Sequence, residues 1–269
     1  MKQKTTKLLF LRRLQPHKRP GDVFIPVLSF ASLVILAFVF SSFSTVRVKT
    51  VRFSASDGLL ITADEYIVNP GNPYVLLFHE QGSSRGEYST IARRLCKLDF
   101  NCLAVDLRNG GSENYVSNET ARRLRESDLD AGLSGIEKDV LAAIQYAEEK
   151  SNQPVVLFGS GANGSLSLKM ALSNSNVRAV VALSPGEYFL PEIKIQDAIS
   201  DLRKPVFMTC SKAEYPYVSE LASGMDQEYI TLFEPKQGAG ERGTGSFSVD
   251  YDYNTDYWIA LIRFFKELM

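Results

Sequence analysis

Between residues 74 and 233 the chain repeats one pattern six times: a short, nearly unbroken apolar run, then a turn-rich segment. The runs are Tyr74–His79, Asn101–Asp106, Pro154–Phe158, Val177–Ser184, Pro205–Cys210 and Tyr229–Phe233. Helical spacing falls at Glu87–Leu98, Leu133–Lys150, Asn163–Ser173 and Tyr217–Ser223, and a last helix spans Thr255–Leu268. A strand that is apolar on both faces must be covered on both. The alternation therefore predicts an α/β architecture, a mostly parallel, doubly wound sheet. Upstream, Val46–Phe53 and Leu59–Val68 flank Ser56-Asp57-Gly58, the signature of a hairpin. The total is about eight strands. No linker, repeat or low-complexity stretch divides residues 45–269, which read as one domain.

The N-terminal end is different in kind. Residues 1–21 carry seven basic groups (Lys2, Lys4, Lys7, Arg12, Arg13, Lys18, Arg19) and no acid. Val23–Phe43 is twenty-one residues without a charge. As a helix it spans about 30 Å, the thickness of a bilayer's hydrocarbon core. Residues 22–44 are thus expected to form a transmembrane helix. The basic flank places residues 1–21 in the cytoplasm and residues 45–269 outside it. The competing reading is a cleaved signal peptide, with Ser42-Phe43-Ser44 as a small-x-small site. The long basic region and the length of the run favour an uncleaved anchor. Lys7–Leu14 is either a short amphipathic turn on the inner membrane face or a solvated basic tail.

The whole chain has 30 basic and 31 acidic groups, a formal net charge of −1. Removing the arm's seven leaves residues 22–269 with 23 basic and 31 acidic groups, a net of −8. That balance argues against a nucleic-acid partner. Three Cys without a C-x-x-C pair, and two His at positions 17 and 79, argue against a metal site. Cys96 and Cys102 are expected as buried free thiols.

Several motifs follow the apolar runs. Pro154 to Ser165 (PVVLFGSGANGS) is a strand, a glycine-rich turn and a helix start. Gly159 to Gly164 matches G-x-G-x-x-G, and Glu187 lies 23 residues further on, which together suggest a dinucleotide site. The turn, however, follows the third parallel strand rather than the first, and Glu187 falls three residues past its strand. No cofactor is expected. Leu77 to Tyr88 (LFHEQGSSRGEY), Ala104 to Gly111 (AVDLRNGG), Asn118-Glu119-Thr120, Ser184 to Tyr188 (SPGEY), Lys212-Ala213-Glu214 and Gly238 to Thr244 (GAGERGT) complete the set.

Taken together, these segments resemble bacterial α/β-hydrolases of the serine-hydrolase, dienelactone-hydrolase-like group, over about 220 residues. The resemblance implies the α/β-hydrolase fold. It also implies a nucleophile elbow, G-x-S-x-G, at the glycine-rich turn. Residue by residue, Gly161 stands where that motif has its serine, and Asn163 takes the place of the second Gly. Glu214 stands for the acid. The histidine position is Arg242, or Glu241 if the turn is one residue shorter. His79, Glu80, Gln81, Ser160 and Ala162 are expected to line a vestigial oxyanion pocket.

Acyl transfer by this route needs a hydroxyl, a base and an orienting acid. Gly161 has no side chain, and an Arg does not accept a proton near neutral pH. Ser160 and Ser165 lie off the nucleophile position, and His17 is expected across the membrane. The intact catalytic set is therefore expected to be missing. The leading expectation is a membrane-anchored pseudoenzyme, a binding or assembly subunit accessory to an integral membrane protein complex. A divergent esterase-like hydrolase and a small-molecule receptor are the alternatives.

Four further expectations complete the reading. His79, Glu80 and Arg85 share a loop network, and Asp106 and Arg108 pin the turn after the fourth strand. Tyr251, Tyr253, Tyr257 and Trp258 pack in the core or serve an interface. Glu113–Asp130 is a long acidic insert, a lid remnant or a docking loop.

Overall fold

The computed structural model describes residues 45–269. The basic arm at 1–21 and the span at 22–44 lie outside the described residues. Among the described residues, no helix is long and apolar enough to cross a membrane.

Eight strands form one sheet: β1 (Arg47–Ser54), β2 (Leu60–Ile67), β3 (Tyr74–Phe78), β4 (Asn101–Val105), β7 (Val155–Ser160), β8 (Val177–Leu183), β9 (Val206–Thr209) and β10 (Ile230–Phe233). Their order is β1-β2-β4-β3-β7-β8-β9-β10. β1 and β2 pair antiparallel through the Ser56-Asp57-Gly58 turn, and β2 meets β4 antiparallel. The remaining neighbours are parallel. The helices are α1 (Ser89–Cys96), α2 (Glu119–Leu124), α3 (Leu133–Ser151), α4 (Ala162–Ser173), α5 (Ile195–Ala198), α6 (Tyr215–Ala222) and α7 (Asn254–Glu267).

The two-residue period of the strands divides the apolar residues between two cores. On β7, Val155 and Leu157 join a core with α3, α4 and α6, whereas Val156 and Phe158 join one with α1 and α7. Leu76 and Leu77 of β3 are split the same way. On α7, Tyr257, Trp258, Leu261, Phe264 and Phe265 recur at helical spacing and are buried. Each such burial stabilises the fold by about 1.5–3 kcal/mol relative to exposure.

Sequence expectation and structure part at the insert. The middle of Glu113–Asp130 is bound into the fold, with Asn118, Thr120, Ala121 and Leu124 buried, while its two ends are exposed. Residues 112–117 form a small hairpin, β5 (Ser112–Glu113) with β6 (Val116–Ser117). The Asn118 side chain then caps α2 by accepting from Ala121 N at 2.7 Å. Thr120 is buried and accepts from Thr62 N of β2 at 3.0 Å. The acidic character of the insert is also offset locally, since Glu119 pairs with Arg52 and Arg123. Cys96, Cys102 and Cys210 are free and buried. Trp258 is buried and donates to Phe247 O at 3.1 Å, so it packs in the core.

Candidate functional site

The turn from β7 into α4 sits at the centre of the sheet. Its apex, Gly161, has φ +56° and ψ −126°. Side chains rarely adopt such dihedrals, and a non-glycine residue held there costs about 1–3 kcal/mol. Gly161 N donates to Leu183 O at 2.9 Å, and Gly161 O accepts from Ser165 N to open the helix. A Cβ on Gly161 would come within 2.8 Å of Glu80 Oε1. The space into which an apex side chain would project therefore holds the Glu80 carboxylate.

Glu80 leaves the end of β3 and is fixed from the far side. Its Oε1 accepts from Arg242 Nε at 2.8 Å and from Nη2 at 2.7 Å. The same guanidinium donates through Nη1 to Glu214 Oε1 at 2.7 Å and through Nη2 to Tyr188 Oη at 2.8 Å. Arg242 thus bridges two carboxylates. Burial alone would lower its pKa, but the bonds to Glu80 and Tyr188 outweigh that and hold it above the ordinary guanidinium value. It stays charged and has no proton-accepting capacity.

Glu214 follows β9. Its Oε2 accepts from Ser211 N (3.1 Å), Ser211 Oγ (2.8 Å) and Ser184 Oγ (2.9 Å). Burial would raise its pKa. The Ser211 and Ser184 bonds and the Arg242 charge overcome this and hold it below the usual glutamate range. The alternative histidine position, Glu241, is exposed, and its backbone N donates to Ser246 Oγ.

The other expected site residues divide. Ala162 opens α4 beside the apex. Ser160 is fully buried, and its Oγ has no hydrogen-bond partner among the described residues. A Cβ on Gly243 would lie 2.4 Å from that oxygen, so the turn after Arg242 seals Ser160 from solvent. Gln81 is exposed at the rim. His79 is buried in a different set of contacts. Its Nε2 accepts from Leu107 N at 2.9 Å, so that nitrogen carries no proton. Nδ1 then donates to Glu80 O at 2.8 Å. Burial depresses the pKa of this imidazole and keeps it neutral.

Arg85 belongs to neither His79 nor Glu80. It pairs with Asp106 at 2.5 Å and with Asp64 at 3.2 Å. Arg108 is gripped by Asp139 and Asp57. Glu187 accepts from Ile195 N and Gln196 N and so caps α5, a local role unrelated to a ribose. Among the described residues, no group of three His, Cys, Asp or Glu side chains is arranged to hold a metal ion.

Two clefts flank the bridge. One, of about 770 Å³, is lined by Glu80, Gln81, Glu87 and Thr244 among others. The second, of about 400 Å³, is lined by Tyr188, Glu214, Tyr217 and Arg242 among others. Gly161 lines neither. The bridge partitions the region and covers the apex.

No family model and no curated protein sequence matches the chain. Solved structures do resemble it. An esterase of Pyrococcus furiosus superposes with a TM-score of 0.61 at 17% identity, covering 82% of this chain and 93% of its own. A dienelactone hydrolase from Anabaena variabilis gives 0.59 at 16% identity, covering 81% and 95%. An esterase of Pyrobaculum calidifontis gives 0.54 at 16% identity, covering 94% and 96%. The chain has the α/β-hydrolase fold.

Within that fold, several site residues were given no role by the motifs that contain or adjoin them. Tyr188, Ser184 and Ser211 enter through the bridge, and Glu87 enters through its bonds to Glu80 N and Thr244 Oγ1. One signal was available for Glu80. Arg242 brings a permanent positive charge to the site, and Glu80 was a second acid expected near it.

Proposed function

We propose that this chain is an α/β-hydrolase-fold pseudoenzyme. It is held at a membrane by residues 22–44 and acts as a binding or assembly subunit for an integral membrane protein. The observation that carries the reading is the Glu80–Arg242–Glu214 bridge over Gly161. Where acyl transfer needs a hydroxyl and a neutral base, this chain has an empty apex and a guanidinium saturated by carboxylates. The anchor rests on the uncharged run and its basic flank. Anchoring confines the domain to the membrane surface and raises its effective concentration for a membrane partner.

Two experiments test the two halves. The full chain, treated with a fluorophosphonate probe, remains unlabelled. Labelling of any serine in residues 45–269 that disappears on denaturation would refute the pseudoenzyme. In membranes, the chain resists alkaline carbonate extraction and co-purifies with an integral protein in mild detergent. Release by carbonate would remove the anchor, and recovery as monomer alone would remove the subunit role.

A divergent hydrolase is the second reading. It is favoured by the retained acid position, Glu214 with its two serine donors, and by structural neighbours described as esterases. Denaturation-sensitive probe labelling is the result that would select it.

A further inference from the structure

The core shared with α1 and α7 holds two cysteines. Cys96 closes α1, and Cys102 is the second residue of β4. Both are buried, in one cluster with Val75, Leu77 and Phe158. Cys210 belongs to the other core. The sheet separates it from the first two, which leaves one pairing within reach.

The side chains of that pair converge. α1 turns Ile91, Ala92, Leu95 and Cys96 inward. In a helix a side chain leans back toward the N-terminus, so Cys96 projects over Ala92, one turn earlier. Cys102 arrives at the same place from β4, and its Sγ donates to Ala92 O at 3.6 Å. Ala92 carries only a methyl, which leaves the space to sulfur. The two thiols also hydrogen-bond to each other. Their reactivities differ. That hydrogen bond, with the Arg93 charge, outweighs burial and lowers the Cys96 pKa. Burial pushes the Cys102 thiol up. Cys96 is thus the readier nucleophile.

We infer that Cys96 and Cys102 are a redox pair that closes to a disulfide when the chain folds in the presence of an organic disulfide, stapling the end of α1 to β4. The Cys96 thiolate attacks one sulfur of that disulfide, and half of the reagent leaves as a thiolate. Cys102, its proton released to solvent, then attacks Cys96 Sγ in the mixed disulfide and expels the other half. Two protein thiols lose two electrons and two protons to become one S–S bond, and the reagent takes them up to become two thiols. Neither cysteine is open to solvent in the packed domain, so the exchange belongs to folding or to local opening of α1. The inference goes beyond the membrane reading. Placement of residues 45–269 outside the cytoplasm would supply disulfides during folding, but the purified chain tests the bond without it.

The test uses the full chain, unfolded in urea with reductant and refolded into neutral detergent in a glutathione buffer poised as in an oxidising secretory compartment. Remaining thiols are blocked with iodoacetamide after denaturation, and peptides are mapped by mass spectrometry. The Cys96–Cys102 cross-link should account for at least about nine-tenths of the refolded chain, with Cys210 blocked. Cys210→Ser should cross-link like the wild type. Cys96→Ser and Cys102→Ser should each give no cross-link within the chain. Thermal melts restrict the count to folded material. Where refolding fails, the native chain is held in the same buffer just below its urea midpoint, where local opening exposes both thiols. The inference is overturned if Cys96 and Cys102 are blocked to the same extent as Cys210, or if Cys210 enters cross-links as often as they do.

Discussion

Two arginines lie close to the same end of the sheet in very different surroundings. Arg108 and its partner Asp139 are fully buried, joined by several hydrogen bonds. Arg108 also reaches Asp57 of the β1–β2 turn and the carbonyl of Asp130 before α3. That network ties three chain segments together. Arg242 is half-exposed, and its partners are carboxylates in a cleft wall. The first arginine holds the scaffold; the second closes a site. The difference separates contacts that hold the fold from contacts that shape the cleft walls.

Three substitutions probe that contrast. Asp139→Ala strands the buried Arg108 guanidinium and should cost about 3–5 kcal/mol, measured by urea unfolding. Gly161→Ser places a Cβ at strained dihedrals against Glu80 and should cost about 1–3 kcal/mol, seen as a lower Tm. An unchanged or raised Tm would show that the apex tolerates a side chain. Arg242→Ala should cost only about 1 kcal/mol, diminishing in high salt, because its pairs are partly solvated. A loss as large as that of Asp139→Ala would make the bridge part of the scaffold and erase the distinction.

The smallest effect is a pH dependence. Burial holds the Glu87 carboxyl above its ordinary pKa of 4.5, against the opposing hydrogen bonds from Glu80 N and Thr244. Above pH 4.5 the native state then binds more protons than the unfolded chain, so this group lowers stability as pH rises through that window. Glu87→Gln removes the loss and keeps an oxygen to accept from Glu80 N. It should melt slightly higher than the wild type at neutral pH, with the gap closing as pH falls below about 4.5. A constant gap across pH would remove titration as its cause. Glu214 has the opposite sign: its depressed pKa stabilises the native state at neutral pH, and that is lost in acid.

The scaffold was legible in the sequence because burial on both faces leaves unbroken apolar runs. All six runs became strands, with ends shifted by only a few residues: Pro154–Phe158 became Val155–Ser160. The insert was less legible. Its burial depends on Asn118 and Thr120, single polar residues whose partners lie far away in sequence. At the site, Gly161, Glu214 and Arg242 were expected to lie together, and the structure joins Arg242 to Glu214 and to the Glu80 carboxylate that covers Gly161. The joining of Glu80 to Arg242 was not legible, since it links residues 162 positions apart through a side-chain reach that spacing does not encode. Glu87 lay within the Leu77–Tyr88 segment without an assigned role and is defined by its bonds to Glu80 N and Thr244 Oγ1.

The central claim is that the bridge stands in place of a catalytic set. Ester hydrolysis by the purified full chain, measured beside the Glu80→Gly/Gly161→Ser/Arg242→His variant, tests it most directly. The wild type should match the buffer rate, and the triple variant, with the carboxylate cleared and a hydroxyl and imidazole supplied, should exceed it and saturate with substrate. Saturable hydrolysis by the wild type, abolished by Glu214→Gln, would contradict the account.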